Sequence, residues 1–300
     1  MIKKFVWLLL ICLVLLLAGG FVYWKLSRSL PHNPNVASHW PTTSPVNPAV
    51  VPGTPGSHPP ELPPAGEPAT KKETPASEPG FVLRQGETLD YDANFAKLNS
   101  TVANLKIVAV EKRSVAGKGS WHLQAFAHTE NPYRMVFELD DQFDSYSDAA
   151  SMTSLQYEMH LSERGQRVDS VERLLSSPHD PPPEGTSAAR VLPGTRDPLG
   201  MLEYLRGVDW THTTEVRSPV YDGHKLYDVR AALVSKSAAV SVPAGKFNTT
   251  KIEIHVLDNG TEMKDAHFLL YLTNDASRVP ALMEAVLPVA TASVELTKAK

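Results

Sequence analysis

The residues able to do chemistry are scattered along the 300-residue chain. Covalent acyl transfer needs a serine or cysteine on a strained turn with a base beside it. The chain has no GxSxG or SxxK signature, and its single cysteine, Cys12, lies inside an apolar run. A metal centre wants imidazoles, thiolates or carboxylates at helix or strand spacing, yet HxH, HExxH and CxxC are all absent. No metal and no cofactor are expected. His122 and His128 share a strand face with Gln124, but six residues apart they are too distant to hold one ion together, and surface positions explain them. The carboxylates Glu138, Asp140, Asp141, Asp144 and Asp148 form the strongest charge feature. Such groups bind calcium or run acid-base chemistry, but this run lacks the glycine and terminal glutamate of an EF-hand loop. A solvated loop is the expectation. Three glycosylation sequons, at Asn99, Asn248 and Asn259, are read as chance, and Asn259-Gly260 is already a turn signal.

The feature that points to binding is apolar. Residues 196–207, RDPLGMLEYLRG, predict a short helix with Asp197 as N-cap, Pro198 in the first helical position and Gly207 as the C′ glycine. Leu199, Leu202 and Leu205 recur every three residues with Met201 beside them, giving a stripe that faces a sheet and is able to line a groove.

The elements that position this helix are strands. Period-two alternation recurs at Tyr133, Met135, Phe137 and Leu139, at Leu155, Tyr157, Met159 and Leu161, and at Tyr227, Val229, Ala231 and Leu233. It returns at Ile252, Ile254 and Val256 and at Phe268, Leu270 and Leu272. Turn signals stand between, at Gly117-Lys118-Gly119, Asn131-Pro132, Arg164-Gly165, Asp222-Gly223, Pro243-Ala244-Gly245 and Asn259-Gly260. The reading is a mainly β (α+β) domain: a curved antiparallel sheet or half-barrel of about ten to twelve strands with one short covering helix. A two-layer sandwich is the rival, and a single helix followed by more strands favours the curved sheet. The proline-rich loop at 176–195 reads as a solvated connection rather than a lid.

Three segments differ in composition. Residues 5–24, FVWLLLICLVLLLAGGFVYW, make a helix of about 30 Å, the thickness of a bilayer core. Phe5 opens this span, and Trp7, Tyr23 and Trp24 sit at the ends where interfacial aromatics belong. Ala18 and Gly20 also fit a signal-peptide cleavage site, but the apolar run continues to Trp24, so residues 1–28 are read as a transmembrane anchor with the remainder exported. Fourteen of the 25 prolines fall in residues 29–80, a composition of an extended, disordered spacer. Residues 81–300 hold the folded domain. Lys+Arg number 29 and Asp+Glu 33; six of the bases and four of the acids precede residue 81, leaving the domain at net −6. That charge argues against nucleic acid as a partner.

Five runs, in order, resemble a known family. GETLDY at 86–91, RDPLGMLEYLR at 196–206, YDGHKLYDV at 221–229, VPAGKF at 242–247 and YLTNDASRVP at 271–280 are similar to the bacterial envelope family called domain of unknown function 3108. The resemblance covers most of 86–296. It implies export in a Gram-negative cell and a curved antiparallel sheet like that of periplasmic lipoprotein carriers of the LolA and LolB type, and it implies no activity. The tethered, proline-rich N-terminus departs from the family pattern. Most of the shared positions also have turn roles, among them Asp222-Gly223 and an Asp275 to Arg278 pair before Pro280.

The expected function is a non-enzymatic module on the periplasmic side of the inner membrane, held by a single pass. A concave apolar face would bind a lipid or the acyl part of a lipoprotein, with Leu199, Met201, Leu202 and Leu205 on the groove. The alternative is a structural or protein-interaction module of envelope assembly whose partner is another envelope protein. A hydrolase of envelope polymers ranks last.

Overall fold

A computed structural model describes residues 81–96, 100–177, 180, 184–263, 267–286 and 291–300. The predicted span with Phe5, Trp7, Tyr23 and Trp24, the spacer at 29–80 and the Asn99 sequon lie outside these residues. Among the described residues no helix is long and apolar enough to cross a membrane.

The described chain runs β1 (Thr88–Phe95), β2 (Thr101–Val115), β3 (Lys118–Thr129), β4 (Asp140–Asp148), β5 (Ser154–Glu163), β6 (Gln166–Leu175) and β7 (Ser187–Arg190). Helix α1 (Pro198–Gly207) follows, then β8 (Glu215–Tyr221), β9 (Leu226–Val242), β10 (Gly245–Asp258), β11 (Thr261–Glu262), β12 (His267–Thr273), β13 (Pro280–Val286) and β14 (Thr291–Ala299). All belong to one sheet in the order β7-β6-β5-β4-β3-β2-β1-β14-β13-β12-β10-β9-β8, with β11 paired to β10. Among the described strands, only β6 and β7 pair in parallel. The fold is thus mainly β with one helix, and its fourteen strands exceed the ten to twelve expected. The extra ones are short: β11 has two residues and β7 four, too few for alternation to register.

Sequence alternation sets the faces. In β1, Leu89, Tyr91, Ala93 and Phe95 are buried and the residues between them half-buried. Hairpins with two-residue loops at Arg164-Gly165 and Asn259-Gly260 hold φ of 49° and 73°, and 49° and 77°, the paired positive values a tight antiparallel hairpin needs and glycine permits. Register shifts in β2, β4 and β10 mark bulges, each of which bends and twists its strand.

The sheet curls until its two ends meet. Tyr221 at the end of β8 donates its hydroxyl to Glu172 Oε2 of β6 at 2.5 Å. The segment leaving β7 bridges the remaining gap: Ser154 N donates to Thr195 O at 3.0 Å, and Arg196 pairs with Val220. Side chains from β1–β5, α1, β8–β10 and β12–β14 merge into one core inside the curve.

Helix α1 lies in that concavity. Asp197 caps it, accepting the Gly200 amide at 2.9 Å through Oδ1 while Oδ2 accepts the hydroxyls of Ser145 at 2.6 Å and of Ser154. Gly200 lets the helix seat directly on β4 and β5, because a Cβ there would stand 2.7 Å from Ser147 Oγ and 3.0 Å from Met152 O. Gly207 is the last helical residue rather than C′, and Val208 leaves in extended conformation with φ −65° and ψ 134°. Arg278, not a left-handed glycine, serves the end: its Nη1 donates to the carbonyls of Arg206 at 3.1 Å and Val208 at 2.7 Å.

Two local expectations are corrected. The predicted strand at 133–139 is a 3-10 turn over Tyr133–Met135, with Met135 and Val136 exposed and only Phe137 and Leu139 buried. Its alternation was coincidental; two apolar side chains of the four reach the core. The carboxylate run is no solvated loop, since Asp140–Asp148 is β4, flanked on both sides by strands, with Asp141 and Asp144 buried.

Candidate functional site: an apolar cavity beside the helix

The seating of α1 against β4 and β5 leaves space on its other side. A cavity of about 110 Å³ separates the helix from the second half of the sheet. Leu199, Met201, Leu202 and Leu205 form the helix wall, so all four residues of the predicted stripe stand on one surface. The opposite wall is assembled from inward side chains of several strands: Leu105 and Ile107 of β2, Val229 of β9, Phe268 of β12, Met283 of β13 and Val294 of β14. Leu199 and Leu205 are buried, whereas Leu202 is half-buried and shares the rim with Pro198, Tyr227, Ile254, Val256 and Met263. A well-packed core closes such a gap, because unfilled space forfeits dispersion contacts.

One carboxylate stands on this apolar wall. Asp222 opens the β8–β9 turn, and its Oδ1 accepts the amides of His224 at 2.8 Å and Lys225 at 2.7 Å. Those bonds fix the side chain. The residue is only 5% exposed, and Oδ2 has no hydrogen-bond partner among the described residues. Burial pushes the Tyr227 pKa up, followed by the charges of Asp222 and Asp258 and a hydrogen-bonding contribution from Asp222. Burial likewise raises the Asp222 pKa, against the lowering effect of the two amides. Sequence reasoning took Asp222 for a hairpin residue, which it is; its place on the cavity wall depends on curvature that no local pattern carries. The turn seats on β5: a Cβ at Gly223, whose φ is +96°, would overlap the Met159 Sδ and Cε.

A buried ionic network holds the helix wall. Arg206, fully buried, gives both Glu203 carboxylate oxygens a bond of 2.9 Å through Nη1. Its Nη2 reaches Glu87 at 2.6 Å and the Ser277 carbonyl at 2.9 Å, and its plane lies 4.6 Å from the Phe81 ring centroid. The helix is thereby tied to the entry of β1 and to the β12–β13 turn. The expected Asp275 to Arg278 pair is a backbone contact: Asp275 accepts the Ser277 amide at 2.9 Å and the Arg278 amide at 3.2 Å, while the Arg278 guanidinium goes to the helix end.

The outer face carries a separate polar group. His122, expected at the surface, is buried. It stacks on Tyr146 at 4.5 Å and bonds Asp144 Oδ1 through Nε2 at 2.6 Å. Gln124 and Gln142 add bonds of 2.7 Å each to the same carboxylate. His128 does share the face of His122 and Gln124, as expected, but it is exposed and pairs with Asp140. Asp144, Glu158 and His160 offer ligand atoms within 4.8 Å of one another. The amides and His122 already occupy the Asp144 oxygens, and His160 bonds Asp169 at 2.7 Å, an arrangement that satisfies these groups without an ion.

A curved antiparallel sheet with one helix lodged inside it and an apolar cavity between the two defines a β-barrel-like domain. The chain belongs to the family described as protein of unknown function DUF3108, whose model matches residues 90–297, as the motifs at 196–206, 221–229, 242–247 and 271–280 implied. Among solved structures it is similar to a β-barrel-like protein of domain of unknown function DUF1849 from Brucella abortus, at 13% identity and TM-score 0.48, covering 73% of this chain and 98% of that one. It is similar also to a protein from Bacteroides fragilis described as exported, with a YmcC-like fold, at 10% identity and TM-score 0.34, covering 75% and 100%. A third, described as a lipoprotein, from Parabacteroides distasonis, matches at 11% identity and TM-score 0.35, covering 74% and 99%. No curated protein matches the chain at a significant level.

Proposed function

We propose that this domain is a non-enzymatic carrier or sensor of an acyl chain, held to the inner membrane by residues 5–24 and presented to the periplasm on the spacer at 29–80. The observation that carries the reading is the cavity between α1 and the β9–β14 half of the sheet, walled by Leu199, Met201, Leu202 and Leu205 on one side and by strand side chains on the other. Each methylene buried there contributes about 0.8 kcal/mol, so a six-carbon stretch supplies roughly 5 kcal/mol with no catalytic group. The rim residue Leu202 is the place to interfere, because a charge there faces the entering chain without disturbing Leu199 and Leu205 beneath it. The full chain, purified from a bacterial envelope, is expected to carry a lipid adduct by native mass spectrometry that Leu202→Asp loses while its circular dichroism stays strand-like. Equal adduct in both proteins, or a clean wild-type protein after incubation with envelope lipids, would overturn the reading and direct the search to protein partners.

A further inference from the structure

Where the chain leaves α1, a second cavity of about 220 Å³ lies between the helix exit, strands β9 and β10 and the β12–β13 turn. It shares no lining residue with the apolar cavity. Val208, Trp210 and Leu272 give it buried apolar surface, while the exposed Lys236 and Asn274 and the half-buried Arg278 give it polar groups. The unused hydrogen-bonding capacity of these three side chains is donating. Lys236 Nζ gives one proton to the Thr211 carbonyl at 2.9 Å and holds others. Arg278 spends Nη1 on the Arg206 and Val208 carbonyls, whereas Nε and Nη2 have no partner among the described residues and are not sealed from solvent. Asn274 accepts the Thr250 hydroxyl through Oδ1 at 2.8 Å and donates one amide proton to the Lys236 carbonyl at 3.0 Å, which leaves the other.

No carboxylate lines the cavity, and neither cation has an acidic partner within ion-pair distance among the described residues. Asp209 and Asp275, which neighbour lining residues in the chain, are occupied in their own turns, the first by Thr211 and His212 and the second by the Ser277 and Arg278 amides. Arg278 also holds φ at 43°, in the left-handed region that favours glycine, so its guanidinium is placed at a conformational cost.

We infer that this cavity binds a phosphate monoester, with Lys236 and Arg278 meeting its charge and Asn274 donating to one of its oxygens. The inference goes beyond the acyl-chain reading and stands separately from it. A neutral polyol leaves both cations unanswered, and a carboxylate brings fewer acceptor oxygens and less charge than a phosphate. A phosphate accepts at several oxygens at once and suits a guanidinium fork beside an ammonium point charge. The domain carries net −6, so the attraction arises from these local donors and not from the overall field. A lipid headgroup and a soluble phosphate ester share this chemistry.

The test uses the full chain in nanodiscs of uncharged galactolipid, titrated with glycerol phosphate, glycerate or glycerol at low salt, where exposed charges are least screened. Calorimetry gives the affinity, and hydrogen exchange on the peptides that hold Trp210 and Arg278 gives the place. Glycerol phosphate is expected to bind about tenfold more tightly than either analogue, and Lys236→Gln to lose about tenfold, the scale of one bond to a charged group. Lys236→Arg keeps the charge and should restore the affinity. Lys236 is exposed, so both exchanges spare the core, and matching circular dichroism checks this. Phosphatidic acid placed in the nanodisc separates the two sources: competition with glycerol phosphate assigns a lipid headgroup, and its absence a soluble ester. Equal affinity for the three ligands, or a phosphate preference that Lys236→Gln leaves intact, overturns the site. Protection confined to other peptides overturns it as well, and each of these results leaves the acyl cavity standing.

Discussion

Glu163 is one group through which pH acts on this fold. It ends β5, 6% exposed, beside Asp141 of β4, 3% exposed, and its Oε2 has no hydrogen-bond partner among the described residues. Burial, then the Asp141 charge, pushes its pKa from 4.5 to about 8, with Arg164 opposing; burial also pushes Asp141 up to about 6, opposed by the Ser162 amide and supplemented by Asp140. A raised carboxyl keeps its proton in the folded state after the unfolded chain has lost it. The stability that Glu163 contributes is therefore complete below about pH 4, falls as pH rises through the window from about 4 to 8, and levels above it. A shift of 3.5 units at about 1.4 kcal/mol each sets a ceiling of roughly 5 kcal/mol, and relaxation with water entry reduces it to about 2–4 kcal/mol. Glu163→Gln has the same shape, carries no charge and donates an amide proton toward Asp141. The variant is expected to match the wild-type chain near pH 4.5 and to exceed it by about 2–4 kcal/mol at pH 9, in urea unfolding followed by the fluorescence of buried Trp121 and Trp210. Parallel stability profiles across pH 4.5–9 would refute the argument, because they would mean that Glu163 titrates at the same pH in both states.

Two further substitutions probe the seating of the helix. Arg206→Met leaves Glu203 and Glu87 buried or nearly so without their cation, which costs about 3–5 kcal/mol; the thermal midpoint should fall by more than that of a surface control such as Arg217→Met, and equal falls would show that the network contributes no more than a surface pair. Gly200→Ala places a methyl 2.7 Å from Ser147 Oγ and against the Met152 carbonyl, lifting α1 at a cost of about 1–3 kcal/mol; a gain in stability, the usual result of glycine to alanine in a helix, would show that the helix does not rest on β4 and β5 at this point.

What could be read from the chain divides by range. The helix, its Asp197 cap, its four-residue stripe and most hairpins depend on neighbours within a few positions, and all were legible. So was the sheet, because alternation in β5, β9, β10 and β12 is a local pattern. The failure at His122 has a plain cause, which is that alternation names a face without saying what covers it. His122 was placed at the surface of a strand and Asp144 in a solvated loop, yet the two bond each other on adjacent strands, with Tyr146 stacked on the imidazole and Gln124 and Gln142 on the carboxylate. The 133–139 segment alternates as well, and makes no strand because its flanks at β3 and β4 already pair with each other from His128 and Asp140 onward, leaving it as their connection.

The cavity follows from the same division of range. Its helix wall is a pattern within seven residues, legible at once, but its far wall draws side chains from β2, β9, β12, β13 and β14, positions up to 189 apart in the chain between Leu105 and Val294. Only the register of the whole sheet brings them together. The gap lies beside a helix whose two ends are fixed by polar contacts. Gly200 and the Asp197 bonds to Ser145 and Ser154 draw the N-terminal half toward β4 and β5, and Arg206 holds the C-terminal half to Glu87 and the β12–β13 turn. A helix fixed at both ends on polar contacts cannot slide to close an apolar space beside its middle. The leucine stripe thus faces a volume that the fold's own side chains do not fill, beside a helix anchored through Asp197 at one end and Arg206 at the other.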